Sequence, residues 1–570
     1  MILQALCEYY ERKGGLAPEG FEFKEIPFII VITEEGDFVR IEDTREENSA
    51  KSFCVIKSNG RSGTKILPNM LWDNLAYTLG YVKDVAKEDT KEIDKAIERE
   101  KSFKMLVNNL SEKYPYNKDF KALSLFYSHD ISAIYNDPLW NEIEKKPTIN
   151  VSFRINGRTN IIACDEDLKK EINVASEQIK GNEKICLISG VKSKCVLTTT
   201  ATSIPGSQAT AKLVSFQVNS GYDSYGKTKG ENAPISEKAE AAYTTALKTL
   251  LSKDSHNKFY IGNRTFVFWT IPKETNERES EFEKMFASIF STSNNDNPDE
   301  NVNEVIKAFL SPKTGNEIKG SDDKFYILGL APNAARISVD YWQEGTVAKL
   351  AHNISQHFED LRIIKSVIDM GKPDTLLSLL ISVTFKGSNI QPNLPEALMK
   401  SILQGTLYPV SLIQACLRRI KAEQTVTSRR AAILKAYINR KTRIYNINNT
   451  KQLTMALDKE NSNQGYLCGR LFAVLDKIQD EGMKARTIKE RFMTAAAATP
   501  AIVFSRILSL SNHHLEKIEN KGRVVNFEKL KCEIIDKFTC DGIPARLSLD
   551  DQCRFFVGYY HQLQDFYTKK

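Results

Sequence analysis

The sequence predicts an α+β protein, with a mixed α/β N-terminal half followed by a C-terminal α-helical bundle. Through about residue 345, short β-branched and aromatic runs alternate with turn signals and helical stretches. Beyond Trp342 the apolar residues recur at helical spacing instead. The chain is also too long for one core, because cores stop growing near ~250–300 residues.

The N-terminal stretch Met1–Arg12 (MILQALCEYYER) has the spacing of an amphipathic helix and lacks the basic start and long apolar centre of a signal peptide. Pro27–Thr33, Leu213–Val218, Thr265–Ile271 and Phe325–Leu330 read as strands. Lys273–Lys284 and Ser291–Glu304 carry too few apolar residues for a core and read as an excursion or mobile loop. Leu412, Ile413, Cys416, Leu417 and Ile420 mark one helical face, and Ile433, Leu434, Tyr437 and Ile438 the next. A polar joint, Asn446–Thr454, precedes a helix bearing Leu467, Leu471, Val474, Leu475 and Ile478. The expected domains are 1–345, an α+β domain; 346–454, a basic helical domain; and 455–570, a helical bundle.

With 41% hydrophobic and 26% charged residues, the composition is that of a folded chain. The 79 Lys+Arg against 72 Asp+Glu leave +7, so a polyanion-binding role must rest on local clustering rather than on net charge. Ten cysteines without a C-x-x-C pair fit free thiols in a reducing cytoplasm and no common zinc spacing. No apolar run reaches the ~20 residues needed to span a bilayer, so no membrane partner is expected.

Gly221–Thr228 (GYDSYGKT) satisfies the P-loop pattern after a strand-like run. A P-loop requires a helix starting at its Lys and Thr, to aim N–H groups at phosphates. Here Lys-Gly-Glu-Asn-Ala-Pro follows, and the next helix start is Ser236. His129-Asp130 lacks further ligands at recognisable spacing, and His513-His514 point to different sides of a helix. The expectation is a chain without catalytic residues, metal or cofactor, with a P-loop NTPase and a purely structural scaffold as alternatives.

The strongest charge cluster is 411–443, where Arg418, Arg419, Lys421, Arg429, Arg430, Lys435, Arg440, Lys441 and Arg443 meet one acid, Glu423. With the apolar residues on one face, several of these cations are expected to share the opposite one as a positive stripe along a phosphate backbone, an ordinary solvated face being the alternative. Two loops also have the make-up of duplex contacts. Lys57–Asn74 combines Gly60 and Gly63 with Arg61 and Lys65 for phosphates and Asn69 and Asn74 for base edges. Tyr222–Asn232 offers Ser224, Lys227, Lys229 and Asn232. Ordinary turns, with Trp72 and Tyr225 as core anchors, are the alternative.

The opening MILQAL-x-x-YYER, Cys186–Gly190 (CLISG), Leu213–Phe216 (LVSF) followed by Ser224–Lys227 (SYGK) and Asn232–Pro234 (NAP) resemble the large subunit of the type I-C CRISPR Cascade surveillance complex. So do Tyr326–Arg336 (YILGLAPNAAR), Leu407–Pro409 with the basic helices, and Gly558–Gln562. Gln217 stands where that family usually has Asn. The resemblance implies crRNA-guided recognition of foreign DNA, in which this subunit probes duplex for a short adjacent motif, helps open it and supports the displaced single strand. The implied partners are the crRNA-containing backbone and crRNA-processing subunits, a small subunit, target double-stranded DNA and a helicase-nuclease. It also implies separate translation of the small subunit from inside the large-subunit gene, for which Met455, directly after the polar joint, is the expected start. Phe472, Leu475, Phe492 and Phe504 should then bury against one another, with Arg470, Lys484, Arg486, Lys489 and Arg491 facing nucleic acid.

Overall fold

A computed structural model describes all residues except 1, 47–48, 60–65, 84–89, 172–182, 220, 222–223, 262, 273–280, 291–321, 366–373, 386–389, 392, 446–450, 485–486 and 569–570. The architecture is α+β, with strands in the N-terminal half and helices in the C-terminal half. The chain divides into two compact units, one of 1–202 with 214–249, the other of 203–213 with 250–570.

In the first unit, a four-stranded mixed sheet runs in the order Phe38–Asp43, Phe28–Ile32, Asn150–Ile155, Trp72–Asn74. Phe28–Ile32 is buried at every position because it is an inner strand with neighbours on both sides, parallel to Asn150–Ile155 and antiparallel to Phe38–Asp43. Lys118–Phe126 begins at Asn117, whose side-chain oxygen accepts the N–H groups of Asp119 and Phe120. Phe126 packs its ring on Phe153 of the sheet at 5.6 Å.

The second unit contains a four-stranded antiparallel meander, Lys258–Ile261, Arg264–Ile271, Lys324–Asn333 and Arg336–Thr346. One face buries Phe268 and Phe325 against Phe286 of helix Glu281–Phe290, at 4.8 and 5.0 Å between ring centroids. That sheet shares one continuous core with the helices that follow, from Val347–Leu361 through Leu549–Tyr567. The long run of this unit begins at Leu250, and its core draws on 346–454 and 455–570 alike.

Helices Gln464–Met483 and Leu549–Tyr567 cross so closely that a Cβ on Gly469 would collide with the Phe555 carbonyl. Near this crossing, the Tyr466 hydroxyl and His561 Nδ1 are hydrogen-bonded at 3.0 Å, and burial pushes the imidazole down to about 3. Its folded value lies below the ordinary one of about 6.5, so between these limits the unfolded chain binds the extra proton. Stability should thus fall as pH drops from about 6.5 towards about 3, by a few kcal/mol from this group. In denaturant titrations over that range, His561→Gln should show a flatter pH dependence than the wild type.

Among the expected strands, Leu213–Val218 forms none. Lys212 bridges Arg336 as an isolated pair, and the residues after it are half-buried or exposed turn. Of the expected excursion, 281–284 belongs to helix Glu281–Phe290, whose Phe282 and Phe286 fill the core; 273–280 and 291–304 lie outside the described residues.

Candidate nucleic-acid interface

The loop Ser224–Asn232 is built as a platform. Two short 3-10 turns, Ser224–Gly226 and Lys229–Asn232, flank Thr228, whose backbone N–H and hydroxyl both donate to Glu231 Oε2, at 2.9 and 3.2 Å. Lys184 reaches the other Glu231 oxygen at 3.0 Å, and the Thr228 N–H and this ammonium hold the carboxyl down to about 2. Gly230 donates its N–H to the Leu197 carbonyl at 2.9 Å and sits so close to the Val196 carbonyl that a Cβ would clash.

On this base Tyr225 stands 98% exposed in the left-handed region, at φ 58°. A non-glycine residue held there is uncommon, and such strain persists only where the surroundings fix it. Lys227 and Lys229 are exposed beside it, Lys229 also at positive φ. The Asn232 amide donates to the carbonyls of Lys227 at 3.4 Å and Lys229 at 3.0 Å, so it shapes the loop rather than reaching outward. The alternative that Tyr225 anchors the core is thereby overturned. Sequence reasoning missed Tyr225 because an aromatic in a strand-flanked segment ordinarily signals burial.

The loop Lys57–Asn74 is arranged differently from the expectation. Arg61 and Lys65 lie outside the described residues. Asn69 is only 5% exposed, and its side-chain oxygen accepts the Asn59 N–H at 3.0 Å. Asn74 caps helix Leu75–Thr78 through Ala76 N–H. Both asparagines are therefore committed to shaping this loop, and Trp72 is buried with its indole N–H on the Ile56 carbonyl at 3.1 Å. Asn59, bonded also to the Pro68 carbonyl at 2.7 Å, ties the two flanks together.

The basic helices Val410–Glu423 and Ser428–Ile444 also correct the sequence reading. Arg430 and Lys435 are 5% and 3% exposed; Arg430 donates to the Ser382 and Thr425 carbonyls and Lys435 to the Asp360 carbonyl. Arg419 pairs with Glu423, Arg429 with Asp374, Lys441 with Asp550, and Lys421 donates to Gln552. Arg440 and Arg443 share Asp360. The missing acids are supplied from distant sequence, so the cations face carboxylates and carbonyls inside the unit, and only Arg418 stands exposed.

A different cationic surface emerges next to it. Gln424, at the end of the first basic helix, donates to the Glu490 carbonyl of helix Thr487–Ala496, and Arg506 of helix Pro500–Glu516 lies 5.7 Å over the Phe492 ring. Arg491 and Arg506 are both exposed there. Arg470, expected at the surface, is fully buried against Gln562 and Glu533, and Arg486 lies outside the described residues.

Among the described residues, Lys227 and Thr228 of the P-loop pattern do not open an α-helix. Thr228 caps a 3-10 turn with Glu231 on its hydroxyl, and the helix starts only at Glu237. A carboxylate at that position would repel the phosphate a P-loop cradles. Among the described residues no group of three or more His, Cys, Asp or Glu side chains could hold a metal ion. His129 is paired with Asp37 at 3.0 Å, and His513 and His514 differ in burial, as helix geometry requires. No helix among the described residues is long and apolar enough to cross a membrane.

These features define an α+β protein that presents aromatic and cationic side chains on an anchored loop and a helical face. The chain belongs to the CRISPR-associated protein (Cas_Csd1) family, whose model matches residues 6–567. No curated protein matches the sequence.

Proposed function

We propose that this chain is the non-catalytic large subunit of a type I-C CRISPR Cascade complex. In this reading it recognises the protospacer-adjacent motif in duplex DNA, assists unwinding, stabilises the R-loop and helps recruit the helicase-nuclease. Its partners are the crRNA-bearing backbone and processing subunits, the small subunit, target duplex and displaced strand. Protein then reads a short motif while crRNA pairing reads the rest of the target, the division of labour of RNA-guided systems.

The observation that carries the reading is Tyr225, held exposed at positive φ by the Thr228–Glu231–Lys184 anchor. An exposed ring on a rigid loop can insert at a base step, where unstacking costs a few kcal/mol and must be offset by new contacts. Lys227 and Lys229, exposed beside the ring, supply the charge for the flanking phosphates in this reading. Ser224 opens the loop, and Asn232 positions both lysines through their carbonyls.

Arg418, Arg491 and Arg506 take the phosphate role in place of the buried cations, on the displaced strand or flanking duplex. Removing each phosphate contact lowers the slope of log affinity against log salt by about 0.7–0.9. The triple alanine variant should therefore lose a slope of about 2 to 3 without changing motif preference. An unaltered slope in salt titrations of the folded variant would remove this surface from the nucleic-acid path.

The segment from Met455 is proposed as a separately translated helical subunit. Phe472, Leu475 and Phe504 are buried, with the two rings 6.4 Å apart, while Phe492 is half-buried under Arg506. In the full chain Asp550 accepts from Tyr437 and Lys441, so a separate copy must cover that face by other contacts. Expression with a C-terminal tag should yield a long and a short product, and Met455→Ala should abolish the short one alone. A short band that survives this replacement puts the start elsewhere.

A further inference from the structure

Within the first unit, helix Ile2–Arg12, the hairpin of Glu183–Ile185 and Lys192–Lys194, and the start of helix Glu237–Leu251 enclose an open groove of about 600 Å³. Ala239 and Ala242 form its floor, with Cys7, Ile188 and Val191 on the walls. Gln4 of the helix donates to the Ile188 carbonyl at 3.1 Å, which fixes one wall against the other. Ile185, Leu187 and Val191 on the same hairpin are 63%, 64% and 62% exposed, so an apolar patch continues beyond the groove. Large apolar side chains exposed on a hairpin that also walls a groove point to a binding surface.

The rim is acidic on balance. Glu8, Glu11, Glu19 and Glu237 line it with the cations Lys194 and Lys238; Glu8 is paired with Arg12 at 3.1 Å, while Glu11 and Glu19 are exposed. We infer that the groove seats a segment of another protein subunit of the assembly, apolar along one side and flanked by lysine or arginine. Alanine floor and apolar walls accept aliphatic or aromatic side chains, and the glutamates select cations beside them. Nucleic acid is disfavoured, since its phosphates would face the exposed carboxylates of Glu11 and Glu19 on a rim that is acidic on balance. A two-fold pair of this chain would bring the same glutamates onto one another, because an isologous contact uses one patch twice.

This inference rests on the reading that the chain works inside a multisubunit complex. The test places a photoreactive benzophenone side chain at Val191 in the full complex, irradiates it and sequences the linked peptide by mass spectrometry. The expected product is a peptide of another subunit with apolar residues next to lysine or arginine. Glu11→Lys with Glu19→Lys should lower its yield at least tenfold while leaving the circular dichroism and DNA binding of the isolated chain unchanged. Linkage to nucleic acid, to a second copy, to nothing, or with a yield indifferent to charge reversal overturns the groove assignment alone, provided the chain still co-purifies with crRNA. A chain that never assembles with crRNA-bearing subunits overturns both readings.

Discussion

Tyr225→Ala should abolish most discrimination between motif-bearing and motif-free duplex while leaving the fold unaltered. The ring is 98% exposed, so its removal opens no cavity and should move the unfolding midpoint little. What it removes is the group proposed to enter the duplex. Base–aromatic stacking contributes ~1–3 kcal/mol by alanine substitution, a factor of roughly 5 to 150 in affinity. Lys227→Ala should act differently, weakening all duplexes together and lowering the salt slope by about 0.9. Glu231→Gln should resemble a weaker Tyr225→Ala, because it loosens the anchor held by Thr228 and Lys184. Selection from duplexes randomised beside a crRNA-matched target measures all three. Retained motif enrichment by Tyr225→Ala would exclude the ring from motif reading.

The largest expected effect on stability is at Asp360. Its carboxylate pairs with Arg443 at 2.8 Å and with Arg440 at 3.1 Å, while its carbonyl accepts from Lys435 at 2.9 Å. Arg440 also donates to the Ser401 and Thr406 carbonyls and stacks 4.1 Å over the Tyr408 ring. The acid and Arg440 are nearly inaccessible, so removing the acid strands the Arg440 guanidinium where water cannot reach it. Breaking such a pair costs about 3–5 kcal/mol. Asp360→Ala should accordingly unfold the second unit at markedly lower denaturant. Asp374→Ala, whose partner Arg429 is half-exposed, should cost far less. Similar midpoints for the two variants would refute the buried network as a source of stability.

That network explains why the basic cluster misled the sequence reading. Helical periodicity located both helices, because 3.6-residue spacing is a local property. The partners Asp360, Asp374 and Asp550 lie far away along the chain, and nothing in 411–443 reveals that they converge on its cations. The inner strand Phe28–Ile32 and the phenylalanine-rich meander were legible because continuous apolar runs demand neighbours on both sides. Leu213–Val218 has similar propensity but finds no pairing strand, a tertiary fact.

The candidate loop was legible by position and not by role. Its lysines and polar residues marked Tyr222–Asn232 as a candidate duplex contact. The capping box of Thr228 and Glu231 is local and its spacing stands in the sequence, but Lys184, which holds the other carboxylate oxygen, comes from another hairpin. Asn69 illustrates the converse. Its residue type suits base reading, yet the residue is buried, with its side-chain oxygen accepting the Asn59 N–H and its backbone N–H donating to Asp73.

The most direct measurement is a photocross-link from residue 225. With a benzophenone side chain at Tyr225, the crRNA-loaded complex on motif-bearing duplex should link to the base pairs at the motif's edge. The link should fade when the motif is scrambled. Linkage only to protein, or equal linkage to both duplexes, would contradict motif reading by this loop.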